Sequence, residues 1–467
     1  MPEPPRQPAS GTAKRPARRS RRKTAKPPQR SQRERLVDAM VELSAESGYH
    51  AVTVAHLSAR AGVSSATFYE QFDRKEECLL AAYSTVAARV FARVQHELDG
   101  AERTDVLRRV VGAMLRSVQG DPDAGRVMFI EALAGGPRLR EELRLVLAEF
   151  ERRAEEFLDD PSADGRTLDI PAMALVGAVR SIVARHLRTH SEDLLASLLE
   201  DMLTWMESYS IAPGRARWST GAHARLPPAP AREPSPPGEN ALMPARLPRG
   251  RHGLSASVVA RSQRTRIIQG IAEVMLSKGY ADATVTDIVT AAGVARDAFY
   301  QHFTDKQHAF LEAQQYPTQY ILDSGAASYF AEDEWPARVW SGLKTLLALI
   351  AENPAQSHLR LVECYAAGPA TARRAEEITR SFTIFLEEGY RFRPQAHELP
   401  RLCSQLIAGA LFEVIQRAVA RGDTAELPRH LPQIAYIAIA PFTGPEQAIR
   451  MLEQMRARPD PTDGAQR

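Results

Sequence analysis

The strongest constraint on this chain is that it contains one long pattern twice. Set against each other without a gap, residues 31–83 and 262–314 share 18 identities in 53 positions. Among them are Gly48/Gly279, Tyr49/Tyr280, Thr53/Thr284, Gly62/Gly293, Phe68/Phe299, Tyr69/Tyr300, Phe72/Phe303 and Lys75/Lys306. After one inserted residue the correspondence continues more thinly. Asp121-Pro122 meets Asn353-Pro354, Glu131 meets Glu363, Gly136-Pro137 meets Gly368-Pro369, and Gly177-Ala178 meets Gly409-Ala410. The order never changes, so a whole unit of about 180–200 residues is duplicated.

Composition marks the joints. Residues 1–30 are rich in Pro, Arg and Lys and read as a disordered basic arm. No acidic residue lies between Pro4 and Arg33, whereas Arg6, Lys14, Arg15, Arg18, Arg19, Arg21, Arg22, Lys23, Lys26 and Arg30 are basic. The arm therefore outweighs the net charge of +3 and leaves the remainder slightly acidic. Such an arm, placed just before the first helix, suits salt-dependent contact with phosphates or a minor groove, and equally a plain solvated tail. Helical patterning fills 31–210 and 258–457. Between them, residues 211–257 carry Pro227-Pro228, Pro230, Pro234, Pro236-Pro237, Pro244 and Pro248, the composition of a semi-rigid linker. Residues 458–467 form a polar tail.

The repeated segment has a definite local logic. Leu36, Met40 and Leu43 recur at helical spacing, as do Ile267, Ile271 and Val274, which predicts a first helix in each copy. Gly48 and Gly279 are placed to end it. Thr53 and Thr284 are N-cap residues for a short second helix with Val54, Leu57 and Ala61, or Val285, Ile288 and Ala292, on its buried side. Then follows Ala61-Gly-Val-Ser64, or Ala292-Gly-Val-Ala295: a small residue for close crossing, a glycine for a sharp turn, a valine to fill the joint. Helix, tight turn and short helix make a helix-turn-helix, whose second helix fits the major groove. Phe68 and Phe72, four apart, bury one face of that helix, leaving Ser65, Ala66 and Tyr69 outward and Thr67 at the edge.

The run Thr53-Val-x-x-Leu57-x-x-x-Ala61-Gly-Val-Ser-x-x-Thr67-Phe-Tyr-x-x-Phe72-x-x-Lys75 resembles the signature of the tetracycline-repressor (TetR) family, and the second copy repeats most of it. The resemblance implies an all-α fold, with a three-helix DNA-binding domain (31–78 and 258–309) before a helical ligand and dimerisation domain (79–210 and 310–457) in each unit. It implies phosphate contacts at Thr53, Tyr69 and Lys75, and a groove-facing set at Ser64, Ser65 and Thr67. In the second copy it points to Thr284, Tyr300 and Lys306, joined by Arg296 and His302 as hydrogen-bond donors. That copy also departs from the pattern: Ala295 replaces the capping Ser64, Ala298 replaces Thr67, and Asp297 brings a carboxylate towards DNA. It therefore reads a different half-site, or reads DNA poorly.

The implied partners are double-stranded DNA, with an imperfect palindrome as operator, and a small-molecule effector. Family members pair through their last helices, so helices near 171–208 are expected against those near 398–440 as an intramolecular pseudo-dimer, with further pairing of whole chains left open. The later helices single out no ligand residue. Glu131 and Glu363 fit capping or ion pairing as well as ligand contact. No Gly-rich phosphate loop, metal-spaced His/Cys cluster or nucleophile–base pair is visible, so neither enzyme activity nor a cofactor is expected. Cys78, Cys364 and Cys403 lie far apart without disulfide spacing, which fits a reducing compartment. No apolar run approaches the roughly 18 residues of a spanning helix, and no export signal follows Arg18-Arg19, so a cytoplasmic protein is expected.

Overall fold

The computed structural model describes residues 30–98, 106–159, 166–221, 225–227, 255–315, 318–392, 396 and 398–458. The basic arm before Arg30, the Pro-rich stretch 228–254 and the tail after Arg458 lie outside these residues. The first unit runs α1 (Gln32–Ser47), α2 (Val54–Ala61), α3 (Ser65–Gln71), α4 (Lys75–Leu98), α5 (Val106–Gly120), α6 (Pro122–Phe129), α7 (Pro137–Asp159), α8 (Ala172–Arg188) and α9 (Leu199–Glu207). The second runs α10 (Ala256–Asp282), α11 (Val285–Ala292), α12 (Arg296–His302), α13 (Lys306–Gln315), α14 (Thr318–Phe330), α15 (Trp335–Glu352), α16 (Pro354–His358), α17 (Cys364–Ala366), α18 (Pro369–Ser381), α19 (Leu402–Ala420), α20 (Leu431–Thr443) and α21 (Pro445–Ala457). The fold is all-α. Its one described sheet is a two-residue antiparallel ladder that pairs Thr167 with Ile211 and Leu168 with Ser210.

Local chemistry sets the helix ends. Ser31 and Glu34 form a capping box at the start of α1. Gly48 closes that helix at φ +79°. Gly279 takes φ +75° at the matching place, where α10 kinks before its final residues. This backbone region is open to glycine and strained for other residues, so the repeat keeps glycine there.

Three cores result. Leu36, Met40, Leu57, Phe68 and Phe72 centre the helix-turn-helix head of the first unit, and Ile267, Ile271, Ile288, Phe299 and Phe303 centre that of the second. The third core is shared: Ala178, Ile182, Trp205 and Tyr209 of the first unit pack with Leu406, Ile407, Ala410 and Tyr436 of the second.

The shared core forms where α8 crosses α19. A Cβ on Gly177 would fall 2.2 Å from Glu413 Cβ, and one on Gly409 would fall 2.7 Å from Ser181 Cβ. The shift in numbering that carries Gly177 onto Gly409 also carries Ser181 onto Glu413. The two contacts therefore exchange with each other, as contacts across a two-fold axis do. Charges are buried at the same place. Arg180 pairs with Glu413, which also accepts from Arg417 Nε at 2.6 Å, and Arg417 pairs with Glu151. The Tyr209 hydroxyl donates to the Ile437 carbonyl at 2.7 Å.

Two expectations change. Residues 211–221, placed in the linker by composition, are packed: Ile211 and Trp218 are buried, the Ser219 N–H donates to Asp169 at 2.8 Å, and Gln433 donates to the Ser219 carbonyl at 2.6 Å. An isolated Trp and Ile gave too weak a signal against the prolines that follow. The helix Leu402–Ala420 is also long and apolar enough to cross a membrane by length and composition, contrary to the expectation that no run came close. Its window is 67% buried, because a helix at the centre of an interface is apolar on nearly every side.

Valine at position 177 should therefore overpack the crossing and lower stability by about 1–3 kcal/mol in urea unfolding. Gly120→Ala, with nothing within 4 Å of the added Cβ, should stay within about 0.5 kcal/mol.

Candidate nucleic-acid interface

Each head presents its third helix on a base that the regulatory helices hold. The turn between α2 and α3 is made by Gly62 in the left-handed conformation (φ 63°, ψ 43°), and that between α11 and α12 by Gly293 (φ 61°, ψ 41°). Arg35 Nη1 donates to the Ala61 carbonyl at 2.8 Å, and Arg266 donates to the Ala292 carbonyl, so each turn is clamped from the first helix. Sequence reading missed this clamp, although Arg35 and Arg266 are among the repeat's identities.

In the first head, Ser64 Oγ accepts the Thr67 N–H at 3.0 Å and caps α3. Phe68 and Phe72 are buried with ring centroids 5.8 Å apart. This turns Ser65 outward, half-exposes Thr67 and leaves Tyr69 58% exposed. Thr53 caps α2 by accepting the His56 N–H at 3.2 Å, and it is exposed. Its hydroxyl proton has no partner among the described residues. Ser64, Ser65, Thr67 and Tyr69 thus lie along one short helix with Ser65 and Tyr69 exposed, and Thr53 is exposed at the start of the helix before it.

The second head differs in detail. Tyr300 stands 49% exposed, one helical turn after the exposed Arg296, whose guanidinium lies 5.8 Å from the tyrosine ring centroid. Ala295 supplies no side-chain cap to α12, and Ala298 is buried. Thr284 caps α11, but its hydroxyl donates to Asp287 Oδ2 at 2.7 Å, a carboxylate that also holds Lys278 at 2.6 Å. Lys278 and the threonine hydrogen bonds hold the Asp287 carboxyl down at about 2. Where the first head keeps a free hydroxyl proton, the second thus fixes a negative charge. His302 is half-buried with its Nε2 buried and unpartnered, and burial, with help from Arg264, lowers its pKa. It is not the outward double donor that its position in the sequence implied.

Lys75 and Lys306 also turn inward. Lys75 Nζ donates to the carbonyls of Tyr49 (3.0 Å) and Val52 (2.8 Å), and Lys306 Nζ to those of Tyr280 (2.7 Å) and Ala283 (2.8 Å). Each ammonium sits 4.1 Å from the tyrosine ring centroid, and burial lowers both pKa values. Two N–H bonds of each ammonium are thus used on carbonyls of the loop. Their main work is to tie the loop after the first helix to the start of the fourth.

The matched carboxylates have a matched task. Glu131 Oε2 accepts the Tyr49 N–H at 2.7 Å, and Glu363 Oε2 accepts the Tyr280 N–H at 2.7 Å. Each regulatory domain thereby grips its head one residue beyond the glycine that ends the first helix. Of the functions open to these residues in the sequence, the geometry displays the backbone cap for both and ion pairing as well for Glu363, which pairs with Arg140.

Two such heads in one chain match known regulators. The family profile described as "Bacterial regulatory proteins, tetR family" matches residues 36–82 and again 267–313. Both heads are TetR-family domains. Among curated TetR relatives, the chain is 26% identical over 113 residues to the fatty acid metabolism regulator protein of Bacillus subtilis, covering 24% of this chain and 58% of the relative. It is 30% identical over 95 residues to the transcriptional repressor KstR of Mycobacterium tuberculosis, covering 20% and 43%. The chain thus spans about half the length of these relatives. Similar solved structures include the fatty acid degradation regulator FadR of Bacillus halodurans (18% identity, 38% of this chain and 95% of that one, TM-score 0.34). Another is Bacillus subtilis FadR in complex with stearoyl-CoA (20% identity, 36% and 96%, TM-score 0.32).

The unequal caps of the two TetR recognition helices make a testable difference. Ser64→Ala should destabilise the first head by about 1 kcal/mol, and Ala295→Ser should stabilise the second by about 0.5–1 kcal/mol. Amide exchange over 65–71 and 296–302 measures both, and a head that does not respond would refute its assigned cap.

Proposed function

We propose that this DNA-binding transcriptional regulator works as a single-chain pseudo-dimer, a repressor that a small apolar effector releases. The observation that carries the reading is the exchange of contacts at the α8–α19 crossing, Gly177 with Glu413 and Gly409 with Ser181. A two-fold of that kind sets two recognition helices on a duplex as a TetR homodimer would, and the shared core makes the pairing intramolecular. A linker of tens of residues holds the units at an effective concentration of around millimolar, so pairing persists at any cellular protein level. The operator is then two unlike half-sites, because α3 offers hydroxyls and a tyrosine whereas α12 offers Arg296, Asp297 and Tyr300. Arg296 suits a guanine edge and Asp297 a cytosine amino group.

A specific observation also favours a second reading, in which the second head is a scaffold: α12 lacks a cap, the Thr284 hydroxyl is engaged as a donor to Asp287, and His302 is turned in. Fragments selected from the host genome and footprinted with the full chain separate the two. Two adjacent protected half-sites are expected, one lost in Tyr69→Ala and the other in Tyr300→Ala or Arg296→Ala. Arg296→Ala should cost about 1–3 kcal/mol and relax specificity in its half-site alone. Protection that ignores both second-head substitutions would leave that head a scaffold, and a footprint with no sequence preference would sink both readings.

A further inference from the structure

Two cavities are predominantly apolar: one of about 1000 Å3 walled mainly by the first unit, and one of about 160 Å3 in the second unit. Only the larger lies in the range that small-molecule sites occupy. Its body is apolar, walled by Phe91, Met114, Leu143, Leu147 and Phe150 of α4, α5 and α7. Its polar end is not the first unit's alone. Residues 275–279, the end of the second head's first helix, complete the lining together with His358 and Glu363. At this end Arg140 of α7 donates to Glu363 at 2.5 Å, and His358 Nε2 lies 3.4 Å from the same carboxylate oxygen. His358 Nδ1 is buried without a partner. Elsewhere along the wall Arg144, Arg153, Arg180, Arg417 and Lys278 already pair with carboxylates, so Arg140 and His358, which share the single carboxylate of Glu363, are the place for a further anion.

We infer that this cavity binds an elongated apolar molecule with an anionic end, and that the head which responds is the second one, not the head of the unit that encloses the ligand. The inference rests on the effector-released regulator proposed above and names the effector's chemistry and its route of action. Glu363 is the residue that grips Tyr280 beyond the Gly279 kink. A ligand anion placed at Arg140 and His358 competes with Glu363 for both. It also repels the Glu363 carboxylate, which is buried, and charges act more strongly on a buried group than on an exposed one. The grip on Tyr280 loosens, and the second head is freed at its glycine hinge. The first head has no such lever. Glu131 makes the matching grip on Tyr49, but among the described residues no cation lies within ion-pair distance of it, and the position matching Arg140 in the second unit is Ala372. One ligand per chain, felt by one head, follows from that asymmetry.

Three probes with one twelve-carbon chain and different ends test this on the full chain: dodecanoate, 1-dodecanol and dodecylammonium, each below its micelle concentration. Calorimetry should find one dodecanoate per chain, bound at least tenfold more tightly than dodecylammonium. Hydrogen exchange read by mass spectrometry should then be at least threefold faster over 277–283 and unchanged over 48–52. Arg140→Gln should show the faster exchange without ligand, bind dodecanoate about tenfold more weakly and respond no further. Arg140→Lys should restore part of both effects, which separates loss of the charge from damage to the fold. Equal responses in the two heads, a preference for the cationic probe, no binding of dodecanoate, or an Arg140→Gln protein that responds like the parent would each overturn the inference. Half-site protection in the absence of any probe tests the DNA-binding reading separately, so the failure of one is distinguishable from failure of the other.

Discussion

Everything distinctive in this molecule depends on how closely α8 approaches α19. Two helices can bring their backbones this near only where side chains are missing, and Gly177 and Gly409 supply the gaps. Each gap is filled by the partner helix, Glu413 on one side and Ser181 on the other. In a homodimer those two positions would be one residue, and two glutamates at a buried two-fold would face a like charge. Within a single chain the sides are free to diverge. Ser181 stays small, while Glu413 is held by Arg180 from across the interface and by Arg417 from its own helix. Burial alone would raise the Glu413 pKa, but the two arginines outweigh it and keep the carboxyl low. Such a cluster stands only when complete, since removing one member strands a buried charge.

The same freedom accounts for the other pairs that cross between units. Arg188 reaches Glu376, and Arg140 reaches Glu363, and neither has a symmetric twin. Covalent linkage fixes which unit sits on which side, so a residue can be selected for one side only.

The heads were legible in the sequence because their determinants are local. A cap, a left-handed glycine and two phenylalanines four apart occupy twenty consecutive residues, and the duplication prints them twice. The directions of Tyr69, Tyr300 and Arg296 follow from that periodicity alone. Lys75, Lys306 and His302 did not follow, because periodicity tells where a side chain leaves the helix and not which carbonyl or ring it then finds. Gly177 and Gly409 were visible as a repeat, but their purpose was not, since it lies in a residue more than two hundred positions away. The Arg140–Glu363 pair is beyond sequence reasoning for the same reason, and the repeat conceals it further, because only one half of the chain has the arginine.

The polar joint between each head and its regulatory domain is small and lies beside a continuous apolar contact: Ala124 and Val127 of α6 share the first head's core, and Leu359 and Tyr365 share the second's. A carboxylate takes one backbone N–H, a lysine ties two carbonyls, and a glycine with positive φ lies between them. None of these polar contacts spans much apolar area, so loosening one would shift the turn after the first helix while the apolar core that head and regulatory domain share stays packed. The shared core beneath is the opposite, a large contiguous apolar mass pinned by buried charges. In the proposed regulator a change at one carboxylate would reach its head through this turn, and a recognition helix that loses its spacing loses the groove. Duplication within one chain adds the step that a homodimer cannot take: the two joints can be loosened separately, because the residues that grip them are no longer required to be the same.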